Sequence, residues 1–246
     1  MIDQINTIKK AIILAAGFGK RMEPLTLDIP KPLIKVNGTR MIDSIVRALY
    51  FYNIKEIYVV VGYKKEMFEE WVKEYSGIVL IDNPYYSTCN NISSLYVARE
   101  YIGDSFILDG DQIINNLEVL NPRYNFSGYN ASWCDKETKE WLLSVEDDFI
   151  NGCSRTGGVL GWQLYSISRW SKSDGLKLKQ DLEELFEKGY RDIYWDDVVI
   201  FIYPNHYKLK IYKMDRSDVV EIDSLEELSE MDKSYKRNLQ NDKKGM

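Results

Sequence analysis

Apolar runs alternate with amphipathic segments through the first half of the chain. Short, continuously apolar runs predict buried strands at 11–16, 56–62, 77–82 and 105–111. Helical spacing of the apolar residues predicts helices at 41–53, 65–75 and 90–102. Strands that are apolar on both faces belong to parallel sheets covered by helices on each side. In such sheets, ligands bind outside the carboxyl ends of the strands, so we expect the functional site at that edge.

The pattern loosens after residue 112. Residues 113–155 are rich in Asn, Trp, Tyr and Asp, which predicts short antiparallel strands and loops. Beyond them the pattern predicts strands at 156–166 and 207–214 and helices at 173–189 and 224–235. We therefore expect one domain over 1–235 with an inserted subregion at roughly 113–155, followed by a frayed polar tail at 236–246.

The composition excludes several classes of protein. The 246 residues are 45% hydrophobic and 28% charged, which is typical of a globular protein with a substantial core. A formal charge of −6 argues against a general nucleic-acid binder. Three cysteines without CxxC spacing argue against a disulfide framework or a zinc site. No apolar run approaches the roughly 20 residues of a membrane span, and no secretory leader is evident, so we expect a cytoplasmic protein.

A glycine loop follows the first predicted strand, in the run LAAGFGKRMEPLT. It contains Gly17 and Gly19 but lacks the third glycine of a dinucleotide fingerprint, and no Walker G-K-[ST] is present. Glycines let the backbone aim N–H groups at a ligand, and the planar fork of Arg21 suits phosphate oxygens. Lys31 lies between two prolines on a stiff segment. Together these residues favour a triphosphate site over an ordinary charged turn.

The run L-A-A-G-x-G-x-R-M-x-P-x-T, followed by P-K-P-L, resembles the signature of the nucleoside-triphosphate transferases. Within that family the bacterial CTP:phosphocholine cytidylyltransferases are similar in the segments YNIKEIYVVVGYKKE, NNISSLYVAREYI, DSFILDGD, YWDD and EIDSLEEL. The resemblance covers most of the chain. It implies a Rossmann-like α/β/α sandwich with a mostly parallel central sheet and a small inserted acceptor-binding subregion. It also implies CTP as the donor, with its triphosphate bound by Gly17, Gly19, Lys20, Arg21 and Lys31.

Acidic residues follow the fourth predicted strand, at the expected ligand edge. Mg²⁺ prefers a few carboxylates together with phosphate oxygens and water. The resemblance implies Asp111 and Asp223 as its ligands, and Arg21, Lys31 and Asp111 as the catalytic set. Asp223 also suits a helix N-cap, because DSLEEL follows the pattern of one. For Asp109 we expect a supporting or structural role.

The chain offers no general base. Its single histidine, His206, follows Pro204 and Asn205 and is expected in a surface turn, so no Ser–His–Asp or Cys–His set can be assembled. An acceptor phosphate is already anionic near neutral pH and needs no base. Such an acceptor would attack the α-phosphorus in line and release pyrophosphate, with charge stabilisation from Mg²⁺, Arg and Lys.

Aromatic residues among charges in the second half are candidates for the acceptor pocket. Aromatic faces beside a carboxylate hold a quaternary ammonium by cation–π attraction and charge. The resemblance implies that Trp141, Tyr194 and Asp196 line this pocket, with Trp133 as a further wall and Asp197 as an alternative to Asp196. The runs NNISSLY and GWQLYS depart from the family pattern, which usually has another aromatic and a more acidic run there.

Candidates for the nucleobase site are the backbone of Ala15 and Ala16 and the side chains of Asn90, Asn91 and Ser94. Amides can pair with the donor–acceptor edge of cytosine. We expect one asparagine to bind the base and the other to cap the following helix. The choice of cytidine over uridine rests on the resemblance alone.

The leading hypothesis is an Mg²⁺-dependent enzyme that converts CTP and phosphocholine to CDP-choline and pyrophosphate. The departures from the family pattern leave 2-aminoethylphosphonate and phosphoethanolamine open as acceptors. Two further alternatives are a sugar-phosphate nucleotidylyltransferase and a nucleotide-sensing module without catalysis.

Overall fold

The computed structural model describes residues 5–236, so the predicted tail 236–246 lies outside the described residues apart from Lys236. Its strands are β1 Asn6–Thr7, β2 Lys10–Leu14, β3 Lys35–Val36, β4 Thr39–Arg40, β5 Glu56–Val61, β6 Ile78–Asp82, β7 Ser105–Asp109, β8 Gln112–Ile114, β9 Arg123–Tyr124, β10 Gly128–Cys134, β11 Leu142–Glu146, β12 Phe149–Ser154, β13 Gly161–Trp170, β14 Lys210–Lys213 and β15 Val219–Glu221. Its α-helices are α1 Met41–Phe51, α2 Lys65–Trp71, α3 Ile92–Val97, α4 Lys172–Glu187, α5 Trp195–Asp197 and α6 Leu225–Met231. No helix in this part of the chain combines the length and apolarity needed to cross a membrane.

Nine of these strands form one sheet in the order β10-β14-β12-β11-β13-β7-β2-β5-β6. Parallel pairing joins β7, β2, β5 and β6, which are the four strands that the apolar runs predicted. The next strand, β13, runs antiparallel to β7. The predicted α/β sandwich is therefore confirmed, and its sheet is mixed, with a parallel part of four strands.

Helices cover both faces of the parallel strands. On one face α1 buries Ile42, Ile45, Val46 and Leu49 completely, as their spacing predicts. On the other face α3 and α4 pack together, and α4 contributes Leu178, Leu182 and Leu185 to a second core. Because both faces are covered, only the strand ends remain open to a ligand.

Five strands pair in a closed ring: β10, β14, β12, β11 and β13. This ring is here called the antiparallel lobe, because every pairing in it except β10–β14 is antiparallel. The lobe has a small core of its own around Ala131, Leu143 and Ile211. The long strand β13 belongs to both parts, since Gly161–Gln163 pair within the lobe and Ile167–Trp170 pair with β7. It thereby fixes the lobe beside the carboxyl end of β7.

The glycine loop is anchored where it ends, at residues 19–22, and is open around Gly17. Gly19 has left-handed backbone angles of φ 70° and ψ 39°, and its carbonyl accepts a hydrogen bond from the Thr26 hydroxyl at 3.1 Å. Met22 is fully buried in a third core beside α6. The loop is thus anchored between Gly19 and Met22, while Gly17 has open space around it.

We expect Gly19→Ala to destabilise the fold more than Gly17→Ala. A Cβ at Gly19 would lie 3.1 Å from both Lys31 Cβ and Thr26 Cγ2 and would occupy a left-handed conformation. At Gly17 nothing lies within 4 Å of a Cβ. Gly19→Ala should cost about 1–2 kcal/mol and lower the thermal midpoint by roughly 2–6 °C, with little change for Gly17→Ala. Equal midpoints would show that the loop adjusts without strain.

Candidate active site

Two adjoining cavities of about 520 and 380 Å³ lie at the carboxyl ends of β2 and β7. The glycine loop lines the first cavity, and the antiparallel lobe and α5 line the second. Six residues line both cavities: Arg21, Asn91, Asp109, Asp111, Tyr194 and Asp223. The two cavities therefore form one continuous cleft, and the first is called here the loop cavity and the second the lobe cavity.

The loop cavity carries the predicted phosphate-binding residues. Gly17, Gly19, Lys20 and Arg21 all line it, with the side chain of Arg21 73% exposed. The guanidinium of Arg21 places Nη2 2.9 Å from Asp223 Oδ1. This end of the cleft thus combines exposed cationic side chains with glycine backbone, which suits an anionic ligand.

Lys31 lies on the floor of the cleft and is only 7% exposed. Its Nζ is 2.6 Å from Asp111 Oδ2 and 2.6 Å from Asp223 Oδ1. Burial alone would lower the pKa of Lys31, but the two carboxylates outweigh burial and raise it. The ammonium group is therefore firmly charged.

Asp111 and Asp223 converge on this ammonium from distant parts of the chain, directly after β7 and after β15. Burial opposes ionisation of Asp223, yet Lys31 and Arg21 lower its pKa below the ordinary value. Within residues 5–236, no group of three or more His, Cys, Asp or Glu side chains is placed to hold a metal by itself. Two hard carboxylates without a third protein ligand fit Mg²⁺, which completes its coordination with phosphate oxygens and water.

Asp223 precedes a helix whose N-cap is Ser224 rather than Asp223. The Ser224 hydroxyl accepts from the Glu227 N–H, and the Glu227 carboxylate accepts from the backbone N–H groups of Asp223 and Ser224. The alternative reading of Asp223 as the N-cap is therefore wrong. Its carboxylate faces the cleft, where it contacts Lys31 and Arg21.

Two further acids, Asp109 and Glu221, lie close to the pair. Burial raises the pKa of Asp109 well above its ordinary value, and the charges of Asp111 and Asp196 raise it further. Burial raises the pKa of Glu221 to about 7, against a hydrogen bond from Gln112 that favours ionisation. Asp111 and Asp223 are thus the acids in direct contact with the cation, and Asp109 and Glu221 lie beside them.

The nucleobase candidates line the loop cavity, but several of their polar groups already have partners. The Ala15 N–H donates to the Val60 carbonyl, and the Ala16 carbonyl accepts from Tyr63. Ser94 Oγ accepts from Nδ2 of Asn83 at 3.1 Å. Asn83 is fully buried directly after β6, and no motif in the sequence marks it.

Neither asparagine at the start of α3 caps the helix with its side chain. Asn91 occupies the N-cap position without a side-chain cap, and Asn90 Oδ1 accepts from the Asn91 N–H. The expectation that one of the pair serves as a side-chain cap is therefore wrong. Asn91 Oδ1 instead accepts from the Trp195 N–H at 2.8 Å and so joins the start of α3 to α5.

Three predicted acceptor residues line the lobe cavity together: Trp141, Tyr194 and Asp196. The rings of Trp141 and Tyr194 meet edge to face, with centroids 5.8 Å apart. Asp196 is 6% exposed, and its Oδ1 accepts from the Tyr129 hydroxyl at 2.9 Å. Burial raises the pKa of Asp196 to about 7, although this hydrogen bond opposes the shift.

Asp197, the predicted alternative to Asp196, has a different position. Its Oδ2 accepts from the Tyr194 N–H at 3.0 Å, and its Oδ1 lies 2.6 Å from Arg155 Nη2. Asp196 lines the lobe cavity and Asp197 does not. Sequence reasoning also missed Lys139, Glu140 and Ser166 on the cavity wall, since no motif marks them.

The structure does not place Trp133 in the cleft. Its ring lies 5.2 Å from that of Trp162, opposite it in the β10–β13 pairing, and both line a separate hollow with Lys213. None of the residues lining this hollow lines the cleft. The assignment of Trp133 as an acceptor wall is therefore wrong.

His206 also lies away from the cleft. It ends a short 3₁₀ turn, stacks on Tyr203 and places Nδ1 2.9 Å from Asp181 Oδ2. Neither cavity of the cleft is lined by His206, as expected for a turn residue.

Comparison with known proteins yields relatives over nearly the whole chain. A 2-aminoethylphosphonate cytidylyltransferase of Lancefieldella rimae is 36% identical over 231 residues, which cover 92% of each chain. A choline-phosphate cytidylyltransferase of Streptococcus pneumoniae is 31% identical over 92% of this chain and 98% of its own.

A solved structure and a family model indicate the same kind of enzyme as these relatives. The structure of a CTP:phosphocholine cytidylyltransferase from Streptococcus pneumoniae superposes with a TM-score of 0.83 at 28% identity, covering 92% of this chain and 99% of its own. The model of the nucleotidyl transferase family matches residues 10–126, which contain the glycine loop, Lys31 and Asp111. The chain belongs to the nucleotidyl transferase family.

Proposed function

We propose that this protein is an Mg²⁺-dependent cytidylyltransferase that transfers CMP from CTP to a small phosphonate or phosphate carrying an ammonium group. Its preferred acceptor is 2-aminoethylphosphonate. The observation that carries this proposal is the continuity of the cleft. A cationic loop cavity meets an acidic and aromatic lobe cavity, with Lys31, Asp111 and Asp223 at the junction.

The donor occupies the loop cavity. Its triphosphate lies against the glycine backbone, and Arg21 and Lys31 neutralise its charge. Both side chains are already protonated at neutral pH. The base lies toward Asn90, Asn91 and Ser94, whose amide and hydroxyl groups line this cavity. Relatives that use CTP support cytidine as the base.

Asp111 and Asp223 would hold Mg²⁺. When bound, the ion neutralises charge on the phosphates and polarises the phosphorus that is attacked. The chain itself holds these two carboxylates beside the ammonium of Lys31, in a fixed geometry.

The reaction needs no general base. An anionic oxygen of the acceptor forms a bond to the α-phosphorus, while the bond between that phosphorus and the oxygen bridging to the β-phosphate breaks. Pyrophosphate leaves with the electron pair, and its developing charge faces Lys31 and Arg21. His206 takes no part, because it lies outside the cleft.

The lobe cavity favours a primary ammonium over a quaternary one. Its wall carries more carboxyl groups than aromatic rings: Asp109, Glu140, Asp196 and Glu221 against Trp141 and Tyr194. A primary ammonium donates three hydrogen bonds to such oxygens, whereas a trimethylammonium donates none. The relative at 36% identity, a 2-aminoethylphosphonate cytidylyltransferase, points the same way.

Phosphocholine is the second candidate acceptor. The edge-to-face pair of Trp141 and Tyr194 beside Asp196 is the kind of wall that attracts a quaternary ammonium. The relative at 31% identity, a choline-phosphate cytidylyltransferase, supports this alternative.

Pyrophosphate release with a panel of acceptors tests the proposal. With CTP and Mg²⁺ we expect the highest kcat/KM for 2-aminoethylphosphonate, followed by phosphoethanolamine and then phosphocholine, with glucose 1-phosphate near background. UTP, ATP and GTP should replace CTP poorly. Turnover confined to the sugar phosphate would refute the ammonium acceptor, and a higher kcat/KM for phosphocholine would establish the second candidate.

We expect Asp111→Asn and Asp223→Asn each to lower kcat/KM at least about 100-fold, because each removes a charge from the phosphate-facing cluster. Chelation with EDTA should abolish wild-type turnover, and added Mg²⁺ should restore it. Glu70→Gln, an exposed acid on α2 whose side chain is 75% exposed, is the matched control and should keep wild-type rates. Full activity in EDTA would exclude the metal-dependent mechanism.

Substitutions on the lobe wall should separate the two acceptors. We expect Asp196→Asn to raise the KM for 2-aminoethylphosphonate at least about tenfold while leaving the KM for CTP within twofold, since an ammonium loses its charged partner. The amide oxygen can still accept from Tyr129, so the fold is retained. Trp141→Ala should raise the KM for phosphocholine more than that for 2-aminoethylphosphonate. Unchanged acceptor KM in Asp196→Asn would place the ammonium elsewhere.

A further inference from the structure

Arg155 connects the antiparallel lobe to α5 behind the acceptor wall. It follows β12, and its side chain is 47% exposed. Its guanidinium carbon lies 4.0 Å from the ring centroid of Phe201 and 5.6 Å from that of Trp141. Arg155 itself lines neither cavity of the cleft, so it contacts the wall without touching the space where the acceptor would lie.

This contact changes what the aromatic wall offers a ligand. A cation is attracted by the negative face of an aromatic ring within about 6 Å of its centroid. Trp141 and Phe201 pack together at 5.6 Å, and the guanidinium of Arg155 already lies against both rings. The negative potential of these rings is thus already partly compensated by the guanidinium before a second cation approaches Trp141 from the cavity. The ring therefore binds an incoming ammonium less well than a free tryptophan would.

Arg155 also removes one of the two neighbouring acids as a counter-charge. Asp197 is 2% exposed, and its Oδ1 lies 2.6 Å from Arg155 Nη2. The other oxygen of Asp197 accepts the Tyr194 N–H. Of these two acids, only Asp196 lines the cavity. Its carboxylate binds best to a ligand that donates hydrogen bonds.

We infer that Arg155 is a specificity-determining residue that disfavours quaternary ammonium acceptors relative to primary ones, an inference that rests on the proposed function. It acts through two neighbours that it already contacts, Trp141 and Asp197. It is a positioning residue, since it does not reach the acceptor. Removing its charge releases the Trp141 ring for cation–π binding and leaves the Asp196 site unchanged.

The test compares two acceptors in charge-deleting and charge-keeping variants. In Arg155→Leu we expect the ratio of kcat/KM for phosphocholine to that for 2-aminoethylphosphonate to rise about three- to fivefold, the size of one exposed cation–π contact. Arg155→Lys keeps a cation beside Asp197 and should leave the ratio within about twofold of wild type. The KM for CTP should stay within about twofold in both variants.

Lys213→Leu is the matched control. Lys213 also combines an ion pair, 2.6 Å from Asp148, with a ring contact, 5.3 Å from the Trp162 centroid, but it lies at the separate hollow. Its substitution should not move the acceptor ratio. A rise there equal to that in Arg155→Leu would show a general effect on the lobe and overturn the inference.

A double variant guards against a folding failure. Arg155→Leu leaves the carboxylate of Asp197 buried without a cation, which is costly. Arg155→Leu with Asp197→Asn removes that charge and keeps an oxygen for the Tyr194 N–H. If the double variant shows the wild-type ratio, or if both acceptors lose activity equally, Arg155 is only structural and the inference fails. If wild-type enzyme uses neither acceptor, the proposed function itself fails, and that result is distinct.

Discussion

The cleft depends on one buried ammonium group, that of Lys31. It bonds at 2.6 Å to Asp111, 80 residues away in sequence, and to Asp223, 192 residues away. Each carboxylate would repel the other without it, and the ammonium would be costly to bury without them. This mutual stabilisation raises the pKa of Lys31 and lowers the pKa of Asp223. The glycine loop, β7 and the segment before α6 are thereby held around one point.

Charge is distributed unequally along the cleft on either side of that point. Lys20 and Lys31 line the loop cavity alone, whereas Glu140, Asp196 and Glu221, with Lys139, line the lobe cavity alone. Burial raises the pKa of Asp109 and of Glu221, and the charges of neighbouring acids raise it further. For the proposed acceptor, a zwitterion with a phosphonate at one end and an ammonium at the other, such a field favours one orientation before any specific contact forms. That orientation presents its anionic end to the donor.

Much of the donor side could be predicted because it follows from local patterns and topology. Apolar runs identify parallel strands, the carboxyl ends of such strands meet at one edge, and the glycine loop and Asp111 each follow a strand directly. The acceptor side depends on pairings that no local pattern encodes. Arg155 is recognisable only once the lobe is known to contact α5.

Trp133 and Trp141 show why counting aromatics does not identify an acceptor. They lie eight residues apart in one aromatic, polar stretch, yet the pairing of β10 with β13 sends Trp133 to a separate hollow, and Trp141 reaches the cleft. Even in the cleft, the strength with which the Trp141 ring attracts a cation depends on which charged groups already contact that ring and its neighbour Phe201. Arg155 already supplies a cation to that aromatic group. On the proposed function, acceptor choice depends on the residues behind the wall as well as on those at its surface.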